Sequence, residues 1–280
     1  MDSTSIKQTV KEKYGEIANQ SKAQNDSSCC GAGGCSTVDY AVFSENYNQL
    51  EGYMPEADLG LGCGIPTQFA NIKKGDTVID LGSGAGNDCF VARAITGETG
   101  KVIGIDMTEI MIGKARDNAE KLGFNNVEFR LGDIENIPVA ANRADVIVSN
   151  CVLNLVPDKR KAFSEIFRIL KPGGHFSISD VVLVGALPPS IAQASEMYVG
   201  CVSGALQKAE YLSIIQETGF ADLKVQTEKR IVLPDDILSE YLSAEQIADY
   251  KKSDVGIFSI TAYAEKPNTT ACDPKSGCCC

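Results

Sequence analysis

Tryptophan is absent from the chain, and histidine occurs once, as His175. The second shortage excludes histidine-triad catalysis and multi-histidine metal sites, since neither can be built from one imidazole. No stretch approaches the roughly 20 apolar residues of a spanning helix, so no membrane partner is expected. The opening residues, Met1-Asp-Ser-Thr-Ser-Ile-Lys-Gln8, lack the apolar core of a secretory signal, and a cytoplasmic location is the expectation. Positive charge is in deficit: 26 Lys and Arg stand against 37 Asp and Glu, a net charge of −11. Nothing forms a basic stripe able to neutralise phosphates, which argues against a nucleic-acid partner. No Cys-x-x-Cys pair occurs either, which disfavours structural zinc.

What the chain does have is cysteine, 11 of them in 280 residues. In a reducing compartment that number favours thiol binding or redox chemistry over a disulfide scaffold. The length, with 44% hydrophobic residues, suits one large domain, or one domain with an appended lobe.

Ile6, Val10, Tyr14 and Ile17 recur at helical spacing, marking one amphipathic face near the start. Glycine- and cysteine-rich stretches follow, so residues 1–65 are expected to form a cap and not an independent folding unit. From residue 76 strands and helices alternate. Strands are predicted at 77–81, 101–105, 127–131, 144–149 and 175–183, and helices at 87–95, 109–122 and 159–170. A turn, Lys171-Pro-Gly-Gly174, is expected to stop the last of these helices. Alternation of this kind implies an α/β fold with right-handed crossovers and a mostly parallel, doubly wound sheet. Two late strands, 221–230 and 256–265, are placed to add an antiparallel edge. The expected division is a cap over 1–65, a nucleotide-binding domain over 66–265 with a helical insertion at 186–205, and a disordered cysteine-rich tail over 266–280.

Within that frame Asp80-Leu-Gly-Ser-Gly-Ala-Gly86 follows a strand and opens a helix. Glycines there let the backbone approach a ligand closely, and Asp106, about 20 residues on, can accept both hydroxyls of a ribose. Nicotinamide and flavin sites share this layout. Two details favour S-adenosylmethionine: the acid Asp80 heads the loop, and Asp133 ends the third strand, where it can take an adenine amino group. With no pyrophosphate to cradle, carboxylates are tolerable and suit a cationic ammonium and sulfonium.

The fourth strand ends in Val146-Ile-Val-Ser-Asn-Cys151-Val-Leu-Asn154, which places a thiol in the crevice where open α/β sheets bind ligands. Cys201, in Tyr198-Val-Gly-Cys201-Val-Ser-Gly204-Ala205, and Cys63, in Leu61-Gly-Cys63-Gly64, also sit beside glycine. Cys89 reads as a core residue and His175 as structural.

Taken together, Leu61-Gly-Cys63-Gly, Asp80-Leu-Gly-Ser-Gly, Ser149-Asn-Cys151-Val-Leu-Asn-Leu-Val-Pro-Asp158 and Gly200-Cys201-Val-Ser-Gly-Ala205 are similar to the arsenite methyltransferases. The layout of 65–265 resembles the Rossmann-like class I S-adenosylmethionine-dependent methyltransferases. The resemblance implies that Cys63, Cys151 and Cys201 hold trivalent arsenic as substrate, with Cys30 as a fourth catalytic thiol and Cys29 and Cys35 as alternatives to it. It further implies a cofactor site made of Asp80, Gly82, Ser83, Gly84, Gly86, Asp106, Met107, Asp133, Ile134 and Asn150. Soft thiolates select a soft centre such as arsenic over hard oxygen ligands. Methylation leaves arsenic formally pentavalent; two of the cysteines closing a disulfide would reduce it, and a thiol reductant such as thioredoxin or glutathione would reopen them. Arsenic detoxification is the implied purpose.

Two other functions remain open. One is a carbon methyltransferase acting on a quinone precursor, for which the cysteines are incidental. The other is a thiol-based metalloid-binding protein with a vestigial nucleotide fold.

Overall fold

Short apolar runs rich in Val and Ile become the central strands, as burial on both faces demands. The computed structural model describes residues 3–19, 47–192, 202, 204–239 and 241–268. Its strands are β1 (Thr77–Leu81), β2 (Lys101–Asp106), β3 (Val127–Leu131), β4 (Ala144–Asn150), β5 (Leu170–Val184), β6 (Ala221–Ile231) and β7 (Gly256–Glu265). They form one sheet in the order β3-β2-β1-β4-β5-β7-β6. The pairs from β3 through β5 are parallel, and β7 runs antiparallel to both its neighbours, leaving β6 at the edge.

The helices are α1 (Ser3–Ala18), α2 (Pro66–Phe69), α3 (Asn87–Thr96), α4 (Glu109–Lys121), α5 (Lys159–Ile169), α6 (Lys208–Glu217), α7 (Asp235–Ser239) and α8 (Ala244–Lys252). Side chains of a strand alternate between faces, and the two cores follow that period. Ile79, Leu81 and Ile147 pack on one face with Phe163 and Ile166 of α5 and Tyr211 and Ile214 of α6. Val78, Val146 and Val148 pack on the other with Phe90 of α3 and Met111 of α4. All six strand residues are fully buried, each contributing roughly 1.5–3 kcal/mol. Met54, Ala57 and Leu59 of the expected cap join the second core, so the chain just after residue 47 is continuous with the sheet's interior.

One expected boundary shifts. α5 ends at Ile169, and β5 begins at Leu170, which pairs with Ala144. The next strand pair is Val146 with His175, so the Lys171-Pro-Gly-Gly174 turn bulges inside a strand instead of separating helix from strand. It stays attached because Gly173 N–H donates to the Lys266 carbonyl, and Lys266 N–H to that of Gly174, each at 2.8 Å.

Strand order reverses direction between β1 and β4, and the crevice beyond their carboxyl ends is where such sheets bind ligands. Two loops meet there: the glycine loop after β1 and the Cys151 loop after β4. Residues 20–46, with Cys29, Cys30 and Cys35, lie outside the described residues. So do 193–201, with Cys201, and 269–280, with the last four cysteines. No described helix is long and apolar enough to cross a membrane.

Candidate active site

The glycine loop is pinned to the end of β2: the N–H groups of Gly82 and Ser83 donate to the Ile105 carbonyl at 2.7 and 3.0 Å. Gly82 has φ +75°, and a Cβ there would lie 2.3 Å from Cγ2 of Val152. No other residue fits that contact. Gly84, with φ +51°, faces open space, so the loop's free side is turned to the cavity.

That cavity is lined by Asp80, Gly82, Ser83, Gly84, Asp106, Met107, Asp133, Ile134, Asn150 and Cys151. Every residue expected to hold the cofactor lines it except Gly86, which caps α3 behind the loop in left-handed conformation. Tyr47, Asp58 and Asp88 also line it, as do Lys7, Val10 and Tyr14 of α1. Lys7 Nζ donates to Asp133 Oδ2 at 2.6 Å and Glu135 Oε2 at 2.7 Å, fastening α1 across the opening.

Five carboxyls, Asp58, Asp80, Asp88, Asp106 and Asp133, and one amine, Lys7, stand in an otherwise largely apolar wall. Burial pushes the Asp80 carboxyl well above the usual range, and the neighbouring Asp88 and Asp106 push it further. Burial likewise raises Asp88 to about 6, against hydrogen bonds from Asn150 and Tyr47 that favour its ionised form. Asp106 is raised by burial too, although Gly84 and Thr108 donate backbone N–H groups to it at 3.0 and 2.8 Å. Asp80 is repelled by both Asp88 and Asp106, and a positive ligand relieves that repulsion. Ser83 Oγ and Asn87 Oδ1, both in the lining, are buried and make no hydrogen bond among the described residues. Unmatched polar atoms beside a buried cluster of acids fit a polar, cationic ligand such as S-adenosylmethionine.

Asn150 ties this wall to the thiols. Its Nδ2 donates to the Tyr47 hydroxyl and the Gly64 carbonyl, each at 2.8 Å, and its Oδ1 accepts from Cys63 N–H at 3.0 Å. The Tyr47 hydroxyl in turn donates to Asp88 Oδ1 at 2.9 Å. Cys151 follows immediately, with φ +60° and its N–H on the Ser179 carbonyl at 2.8 Å. The other non-glycine residues with positive φ among those described are Asn71, Asn142 and Asp222, types that tolerate it. A cysteine held there stores roughly 1–3 kcal/mol of strain, of the kind found at functional sites. Cys63 and Cys151 are each 5% exposed and share one apolar cluster with Val181, Ile191 and Val202.

Cys89 is fully buried in the core, as expected, and its thiol donates to Asp80 Oδ2 at 3.2 Å. His175 bonds through Nε2 to the Ala70 carbonyl, a structural position. Among the described residues no cluster of three or more His, Cys, Asp or Glu is placed to hold a metal ion. Sequence reasoning missed Tyr47, Asp88 and Lys7. An acid in the first turn of a helix reads as a partner for the helix dipole, which hid Asp88.

Residues 72–219 match the family model of a methyltransferase domain. An arsenite methyltransferase of Halobacterium salinarum is 37% identical over 279 residues, covering 95% of this chain and 68% of that one. An arsenite methyltransferase of Aquipseudomonas alcaligenes is 33% identical over 242 residues, 84% of this chain and 68% of that one. Among solved structures, CrArsM, an arsenic (III) S-adenosylmethionine methyltransferase from Chlamydomonas reinhardtii, is similar with a TM-score of 0.61 and 32% identity. That likeness covers 74% of this chain and 68% of that one. Fold, acidic cavity and relatives together define an S-adenosylmethionine-dependent methyltransferase of the α/β class. The chain belongs to the arsenite methyltransferase family.

Proposed function

We propose that this enzyme methylates trivalent arsenic held by cysteine thiolates, as a means of arsenic detoxification. The observation that carries the reading is Cys151, strained into a left-handed backbone at the wall of the cofactor cavity and packed in one cluster with Cys63. Cys201 is assigned as the third thiol: its chain neighbour Val202 packs into the same cluster. Cys30, with Cys29 and Cys35 as alternatives, is assigned as the fourth.

S-adenosylmethionine, when bound, supplies an electrophilic methyl group on a sulfonium. Asp80 and Asp88 would hold the positive end of that ligand and Asp106 its ribose hydroxyls, beside the glycine loop. Cys63 and Cys151 bind arsenic through sulfur, which leaves a lone pair on the metalloid. A nucleophile of that kind needs no deprotonation for attack, so one structural histidine is sufficient. Leu155 and Val156, in the lining, keep water from the reacting pair. Reduction of the product takes two electrons from two of the cysteines, which close a disulfide, and a dithiol of the thioredoxin type or glutathione restores them.

The test supplies labelled S-adenosylmethionine, a thiol reductant and either arsenite or a phenolic quinone precursor. Methylated arsenic from the wild type, lost in Cys63→Ser and Cys151→Ser, is the expected result. Label in the phenol with none in arsenic would overturn the reading.

A further inference from the structure

The chain just after Cys63 is laid along one face of the sheet by side-chain donors. His175, Ser177 and Ser179 alternate along β5 and so share that face. His175 meets the Ala70 carbonyl, and Ser177 Oγ donates to the Pro66 carbonyl at 2.9 Å. Gly64 packs so closely on Ser179 that an added Cβ would lie 2.5 Å from its Oγ. On β6, Gln226 Nε2 donates to the Phe69 carbonyl at 3.1 Å. Residues 64–70 are thus fastened to the strands without help from Cys63.

Cys63 itself is gripped at both of its backbone groups. Its N–H goes to Asn150 Oδ1 of β4 at 3.0 Å, and its carbonyl accepts from Ser259 Oγ of β7 at 2.6 Å. β4 and β7 flank β5, so the two bonds hold one residue from opposite sides of that strand. A peptide unit is planar, and the two units that meet at a Cα together fix the direction of its Cβ. With both planes held, rotation about χ1 is the freedom left to the Cys63 thiol. Ser259 pairs directly with Val181, which packs in the cluster that contains both Cys63 and Cys151. Directly opposed residues of antiparallel strands share a face, so this half-buried hydroxyl borders the thiol cluster.

We propose that Ser259 is a positioning residue for arsenic capture, an inference that rests on the thiol–arsenic reading above. It fixes the peptide plane after Cys63 and so holds that thiol within the cluster it shares with Cys151. Ser259 touches neither the metalloid nor the cofactor in this role; it acts through Cys63. Two thiols held ready in advance bind a trivalent centre with less loss of freedom than thiols that must be ordered on binding. Removing the hydroxyl therefore weakens capture, while the bonds at residues 64–70 keep the segment in place.

The experiment treats the full-length, reduced enzyme with iodoacetamide over a range of sodium arsenite and follows Cys63 and Cys151 by peptide mass spectrometry. The quantity read is the arsenite concentration that halves the alkylation rate. Ser259→Ala is expected to raise it by about 2- to 10-fold, the worth of one ordinary hydrogen bond. The S-adenosylmethionine dissociation constant stays at the wild-type value. Ser259→Thr keeps a hydroxyl and restores protection, whereas Ser259→Val, of the same shape, does not. Ser177→Ala is the control, because it removes the same kind of bond at Pro66, three residues further on. It lowers the urea midpoint and leaves arsenite protection unchanged. Wild-type protection in Ser259→Ala and Ser259→Val, or an equal loss in Ser177→Ala, overturns the positioning role alone. Arsenite that fails to protect either cysteine in the wild type overturns the thiol–arsenic reading and the positioning role with it. Threonine and valine both suit a strand and differ by the hydroxyl, so their comparison decides even if Ser259→Ala does not fold.

Discussion

Cys63 donates its backbone N–H to Oδ1 of Asn150 at 3.0 Å, across 87 residues of chain. Asn150 immediately precedes Cys151, so one amide group fixes the spacing between the loops that carry both thiols. Asn150→Ala would leave the Cys63 N–H, the Gly64 carbonyl and the Tyr47 hydroxyl each short of a partner. Losses of about 1–3 kcal/mol are expected in urea unfolding. Arsenite KM should rise more than the S-adenosylmethionine dissociation constant, and equal changes in the two would contradict the linkage.

The left-handed conformation of Cys151 reverses an ordinary ranking. Alanine normally stabilises relative to glycine, but at φ +60° it meets the same clash as cysteine. Cys151→Gly is expected to be more stable than Cys151→Ala by about 1–2 kcal/mol. Both variants should lack arsenic methylation. Chemical denaturation of the two proteins decides the order.

Cofactor affinity should depend on pH through Asp88. Its folded pKa of about 6 lies above the ordinary carboxylate value, so its ionisation opposes folding. The stability it contributes is complete below the unfolded value and disappears as pH rises through about 6. A cationic ligand prefers the ionised form, so S-adenosylmethionine binding weakens as pH falls below about 6. Calorimetric titration from pH 5 to 8 measures this, and Asp88→Asn should flatten the profile.

The lysine strap over the cavity gives a salt effect. Lys7 is 24% exposed on its side chain, so its pairing with Asp133 and Glu135 is worth up to about 1 kcal/mol. Lys7→Ala should speed S-adenosylmethionine dissociation by up to about five-fold. Added salt should do the same to the wild type and little to the variant. Stopped-flow displacement reads both.

The parts of this architecture that a sequence can announce are those with local causes. The seven strands and the glycine loop follow from apolar period and from backbone freedom, and Asp80, Asp106 and Cys151 stand beside those signals. Tyr47 reaches Asp88 over 41 residues, and nothing near either residue in the chain marks the meeting. Asp180 and Tyr211 read as an acid in a strand and an aromatic on a helix's apolar face. Only the folded chain shows that both are buried and act on each other. The Lys171-Pro-Gly-Gly174 turn carried a correct stop signal for the helix, but its backbone groups found partners beside Lys266 and so the strand absorbed it.

Gly82 has no room for even a methyl group against Val152, the residue next to Cys151. The glycine loop and the Cys151 loop therefore share a wall, and neither can reshape itself without the other. Any change that a ligand on one side makes in affinity on the other through that contact is reciprocal, the same factor in both directions.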